Sequence, residues 1–180
     1  MVTLRCTQKL LKRLGVPPKA PTVASTTVLG DWYANLYYTR PEQLVLCINE
    51  RTLLVALISA RDAKSLGSRF RDRVLGLLSQ LGVPPAAVEA ESRAMTEIGF
   101  GPTANRRVLG CLNEAAFAIS LELESGRRTS AVDLELFLSR NIYKLTGYRK
   151  PRELLLELFA NYSSAGASSG GSSASGFRVS

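Results

Sequence analysis

The longest apolar runs in this chain, residues 44–48 and 53–58, are of strand length, and that limits the fold more than any other feature. Neither approaches the roughly 20 residues that a bilayer-spanning helix needs, so no membrane is expected. Both runs fall in the β-rich part of the chain, residues 28–58. Ahead of them, Trp32, Tyr33, Tyr37, Tyr38 and Thr39 give a strand rich in aromatic residues. Turns at Arg40-Pro41-Glu42-Gln43 and Asn49-Glu50-Arg51 separate three strands, and an antiparallel β-meander is the economical arrangement.

On either side the periodicity changes. Val2, Leu4 and Cys6 alternate against Thr3 and Arg5, which predicts a short N-terminal strand. A helix over Gln8–Leu14 follows, with Thr7 as its cap; Gly15, Val16 and Pro17-Pro18 end it. Beyond Arg61 the pattern turns helical: Phe70, Val74, Leu77, Leu78 and Leu81 share one face. The stretch 85–97 reads equally as helix or extended chain. Thr103 is placed to cap a long helix to Leu123 with the stripe Val108, Leu112, Ala115, Ala116 and Ile119. Ser130 with Asp133 predicts a helix over 131–140, and Pro151 opens a last one through Phe159. The expected class is α+β: N-terminal strand and helix, antiparallel meander, then a mainly α-helical C-terminal half. Composition bounds a single domain at residues 1–162 and leaves 163–180, rich in Ser and Gly, as a disordered tail.

Composition restricts the chemistry. The chain has no histidine, which excludes His-dependent triads, His-ligated zinc and imidazole acid–base catalysis. Cys6, Cys47 and Cys111 are odd in number and widely spaced, which suits buried thiols and not a disulfide framework or a structural zinc site. No metal and no cofactor is expected. The first residues carry no signal-peptide pattern, so the expected location is the cytoplasm. The formal net charge of +8 favours nucleic acid or an acidic protein as partner; an arginine excess spread over a solvated surface accounts for it as well. Oligomeric state is not readable.

Three stretches are more specific: Arg5-Cys6-Thr7-Gln8-Lys9-Leu10-Leu11-Lys12, Leu29-Gly30-Asp31-Trp32-Tyr33-Ala34-Asn35-Leu36, and Thr103-Ala104-Asn105-Arg106-Arg107-Val108-Leu109-Gly110-Cys111-Leu112-Asn113-Glu114. With Asn49-Glu50-Arg51-Thr52-Leu53, they resemble, over residues 3–160, a bacterial domain-of-unknown-function family, number six-nine-three-three. The resemblance implies a domain boundary and a bacterial origin and carries no activity. It also exposes departures. Arg107, Cys111, Leu112 and Glu114 stand where the family has Ser, Ser, Met and Asp, and Tyr33 stands where it often has His.

Three groups of residues are candidates for a site. Gly99-Phe100-Gly101-Pro102 reads as a glycine loop entering a helix, with Asn105, Arg106 and Arg107 in the first turn. A helix start favours anions, so two cations there call for a ligand phosphate or carboxylate, or for an internal acid such as Glu91 or Glu97. Asp31, Trp32, Tyr33 and Asn35 form the second group: Asp31 suits a turn, and Trp32 and Tyr33 point to opposite faces of a strand, so that an aromatic exposed beside basic groups would stack a base, although core packing is the stronger reading. Asn113, Glu114, Asn49 and Glu50 form the third, with solvated positions the simpler explanation. No catalytic residue is assigned. The functional readings are a non-catalytic binding module with a basic surface, an enzyme acting on a phosphorylated or nucleotide ligand, and a structural partner subunit.

Overall fold

The computed structural model describes residues 1–19, 23–39 and 42–168. Among them are five strands: β1 (Val2–Cys6), β2 (Trp32–Tyr38), β3 (Gln43–Asn49), β4 (Val55–Ser59) and β5 (Ile98–Pro102). The α-helices are α1 (Gln8–Leu14), α2 (Leu66–Gln80), α3 (Pro85–Ala94), α4 (Arg106–Glu124), α5 (Ala131–Leu138) and α6 (Pro151–Ser168). The expected turn at Arg40-Pro41 and the end of the tail, 169–180, lie outside the described residues. No helix among the described residues is long and apolar enough to cross a membrane.

The strands form one sheet in the order β4-β3-β2-β1-β5. The expected meander is present, since β2, β3 and β4 pair antiparallel. It is only part of the sheet, however, which is mixed: β1 lies parallel to β2 and to β5. Parallel neighbours need a crossover, and α1 with the loop after it supplies one between β1 and β2. The segment read as a glycine loop is therefore the edge strand β5, with Gly99 opposite Thr3 and Gly101 opposite Arg5. Its glycines hide it from strand propensity, yet Gly99 suits the position, where a Cβ would stand 3.1 Å from the Met1 side chain.

Both faces of the sheet are covered. One face presents Leu4, Cys6, Trp32, Ala34, Val45, Cys47, Ala56 and Ile58 to α1, α2 and α6. The other presents Tyr33, Leu46, Ile48, Val55 and Leu57 to α4 and α5. Two-sided burial explains why the central strands read as continuous apolar runs and not as an alternation. The free edge of β4 is closed from α5: Glu135, fully buried, accepts from the Leu57 amide at 2.6 Å and from Arg73 Nε at 2.8 Å. A covered edge is protected from pairing with another chain.

The helix ends follow local chemistry. Gly15 adopts the left-handed conformation (φ 68°), and the Val16 amide donates to the Leu11 carbonyl at 3.0 Å, which satisfies the last turn of α1. Thr7 does not cap α1 with its side chain; its hydroxyl lies 2.7 Å from Asn35 Oδ1 instead. α4 starts later than expected, at Arg106 and not after Thr103, because the Asn105 side chain is the cap, accepting from the amides of Arg107 and Val108. The ambiguous stretch resolves into helix α3 followed by β5.

Candidate functional site

Within β1, Arg5 is the one charged residue, and the pleat aims it at the face that α4 covers elsewhere. Its register neighbours are Tyr33 on β2 and Gly101 on β5. α4 packs over β2 and β3, so the sheet surface at Arg5 opens into a cleft of about 490 Å³ lined by Arg5, Tyr33, Glu50, Ala104, Asn105, Arg106 and Arg107.

Each wall is fixed by a short chain of contacts. Arg5 Nε meets Asp31 Oδ2 at 2.5 Å, and Ser25 donates to the other Asp31 oxygen at 2.5 Å. Asn105 holds the start of α4 with its oxygen and reaches Glu50 Oε1 with its amide at 3.2 Å. Tyr33 is buried, with the Ala104 amide at its hydroxyl. Burial first, then the nearby negative charges of Glu50 and Asp31, push its pKa up against the opposing pull of Arg5. Tyr33 is thus a neutral donor set between opposite charges.

Glu50 is placed by its neighbour. Asn49 is fully buried, and its amide donates to the carbonyls of Leu29 and Asp31. Its oxygen accepts from the amides of Arg51 and Thr52 and from the Thr52 hydroxyl. One side chain therefore fastens the β3–β4 turn to the segment that carries Asp31, and the expectation of a solvated Asn49 is overturned.

Arg5 is neutralised by Asp31, but the other two cations of the cleft are not paired internally. Arg106 and Arg107 are exposed, and neither has an ion-pair partner among the described residues. Glu91, considered as their internal partner, is buried elsewhere and accepts from the Val28 and Leu29 amides at 2.9 and 3.1 Å. The free amides of the helix start, by contrast, are partly taken, because the Asn105 side chain occupies those of Arg107 and Val108. Any anion here would be held by side chains more than by the helix end.

Of the sequence candidates, Tyr33, Glu50, Asn105, Arg106 and Arg107 share this cleft, and Asp31 stands one contact behind it through Arg5. Asn35 lies further along β2, half-buried, with the Thr7 hydroxyl. Trp32 is not a stacking platform: it is fully buried on the opposite face, edge-on to Phe70 with ring centroids 5.4 Å apart. Asn113 and Glu114 are exposed on α4. The sequence reading missed Arg5, whose signal was a lone charge inside a buried strand; Tyr33, one of the two aromatics weighed in the second group, lines the cleft while largely buried. Among the described residues no three His, Cys, Asp or Glu side chains converge as a metal site would need.

A comparison with curated proteins finds no match. A family model described as Domain of unknown function (DUF6933) matches residues 3–154, which takes in β1 from its second residue, the other four strands, the whole cleft and the start of α6, and the chain belongs to that family.

Proposed function

We propose that the domain is a non-catalytic binding module whose basic cleft at the start of α4 holds a phosphate-bearing ligand. The observation that carries this reading is that Arg5, Arg106 and Arg107 face one cleft while Arg106 and Arg107 lack internal ion-pair partners. Guanidinium groups grip phosphate through paired hydrogen bonds that an ammonium cannot reproduce, and Asn105 and Tyr33 add neutral polar groups. The formal charge of +8 agrees in sign with such a ligand.

Tyr33, a buried phenol whose pKa is raised by burial and by Glu50, keeps its proton and serves the cleft as a neutral polar group. Thermal melts with inorganic phosphate and nucleotides test the proposal directly. Ligand should raise the melting temperature of the native chain, and Arg106→Lys should lose most of that rise while keeping its own ligand-free stability. Equal rises in both proteins would show that Arg106 is a solvated side chain and would remove this reading.

A further inference from the structure

Helix α4 turns one face to the core and leaves the opposite one bare. Val108, Cys111, Leu112, Ala115, Ile119 and Glu122 are buried. On the far side Arg107, Gly110, Glu114, Phe117, Leu121 and Glu124 are all exposed, spaced alternately by three and four residues. That is the spacing of a coiled-coil seam, and it marks a second stripe that the fold itself leaves unpacked. Two of its members are large and apolar: Phe117 is 65% and Leu121 46% exposed. Gly110 is open as well, with nothing from the rest of the fold within 4 Å of where a Cβ would stand. Glycine weakens a helix interior and is suited to close approach by another backbone, and no such neighbour lies at Gly110 among the described residues.

The stripe is complementary to itself when reversed. In an antiparallel pair of α4 helices with the twofold axis between Ala115 and Ala116, Arg107 faces Glu124 of the second copy, Gly110 faces Leu121, and Glu114 faces Phe117. The same three contacts recur across the axis, as an isologous interface requires. Neither Arg107 nor Glu124 has an ion-pair partner among the described residues. Leu121 meets the notch at Gly110, and the two Phe117 rings come within one helical turn of each other along the pair, each covered by the methylene stem of a Glu114. A cleft of about 480 Å³ borders the Arg107 end, where Arg107 and Glu114 share it with Lys144 and Leu145. Leu145, 40% exposed, widens the apolar strip there, and Lys144 offers Glu124 of the second copy another cation. A parallel pair in register would set Arg107 against Arg107 and Glu124 against Glu124. Sliding the antiparallel pair by one heptad sets Glu114 against Glu124, and sliding it the other way leaves Leu121 and Glu124 without a partner. Charge and shape agree on one arrangement.

We propose that the exposed stripe of α4 is a homodimer interface, along which two copies of this chain pair their α4 helices antiparallel. The interface is modest. α4 has 19 residues and is about 28 Å long; one helix face against another lies at the low end of specific interfaces, so the dissociation constant is expected in the micromolar range. The pairing does not depend on the phosphate reading. Arg5 and Arg106 stand outside the stripe and keep the basic cleft, and Arg107 is the one residue that the cleft and the stripe share.

Sedimentation equilibrium of the full chain, from well below to well above micromolar concentration, reads the pairing directly. The mass should rise from the 19.5 kDa of one chain toward twice that value. Leu121→Ser changes a side chain that the fold leaves exposed, so it should weaken pairing about tenfold or more while the melting temperature of the dilute chain holds. Glu124→Arg should also weaken pairing about tenfold or more, because each dimer loses two opposite-charge pairs and gains two repulsive ones. Combining it with Arg107→Glu restores both pairs in reverse and should recover pairing. Arg106→Lys should leave pairing unchanged, so this proposal and the phosphate reading fail separately. A chain that stays monomeric throughout overturns the proposal and leaves the stripe to a different protein. A dimer indifferent to Leu121→Ser and Glu124→Arg pairs through another face, and a double variant that does not recover pairing excludes the antiparallel register; either result refutes the interface.

Discussion

Asp31 and Arg5 give the sharpest test of how the cleft is built, because their contact joins the loop before β2 to the charged end of β1. The Nε–Oδ2 distance is 2.5 Å, and the side chains are only 18% and 12% exposed. At an effective dielectric near 20, opposite charges about 4 Å apart attract by about 4 kcal/mol. Part of that is offset by drawing both groups out of water, and hydrogen bonds to charged groups retain about 1.5–3 kcal/mol net. Asp31→Asn keeps an oxygen for the Ser25 hydroxyl and removes the charge; Arg5→Met keeps the aliphatic stem and removes the guanidinium. A double-mutant cycle on these two, read by urea denaturation, should give a coupling of about 1.5–3 kcal/mol. In a chain of this size each kcal/mol shifts the melting temperature by about 2–4 °C, so Asp31→Asn alone should be visible in a thermal scan. A coupling below about 0.5 kcal/mol, the level expected of independent sites, would mean that Asp31 does not hold Arg5 in place.

Two further outcomes follow from the packing. Leu112, 1% exposed beneath the sheet on α4, should cost about 2–5 kcal/mol in denaturant melts when changed to Ala; a negligible loss would put the wrong face of α4 against the core. Glu91 is a carboxyl whose folded pKa is raised above its ordinary 4.5, chiefly by burial, against the opposing effects of the Val28 and Leu29 amides, Arg51 and the N-terminal amino group. The folded state therefore binds this proton more tightly than the unfolded state. Its contribution is largest below about pH 4.5 and is lost as pH rises from there through the folded pKa. The stability of the native chain relative to Glu91→Gln should accordingly fall with rising pH across that interval in pH-dependent urea melts, and a flat or rising difference would contradict it.

The local elements were largely legible because local chemistry decides them. Strands β1 to β4 follow from apolar runs and alternation, α1 from its glycine stop, and α2 from a stripe whose members are all buried. What the sequence did not disclose are relations between distant segments. Nothing near Val2 says that β1 lies parallel to two other strands, and β5, with its glycines and a proline, carries no strand pattern of its own. Trp32 and Tyr33 alternate, which places them on opposite faces, but only the covering helices show that both faces are interior. Asn49 was misread for the complementary reason. A polar residue in a turn suggests solvent, and here its amide and oxygen are both satisfied by neighbouring backbone and Thr52, which makes burial tolerable.

The position of the cleft follows from the topology. β1 and β5 are adjacent and parallel, so their carboxyl ends lie side by side. The chain leaves β1 through α1 toward one face of the sheet and leaves β5 through α4 toward the other. In open sheets, neighbouring parallel strands whose connections depart in opposite directions leave a crevice at their carboxyl ends, and ligands bind there. Arg5 stands at the carboxyl end of β1, while Ala104 and Asn105 follow directly on β5. Glu50 reaches the cleft from another side: Asn49, the last residue of the antiparallel β3, pairs with Trp32 at the start of β2, which lies level with Leu4 and not with the carboxyl end of β1. The glycine strand and the arginine-bearing helix start are thus two parts of one device: β5 widens the sheet beyond the reach of α4, and the uncovered end of β1 is where a charged residue can face a ligand.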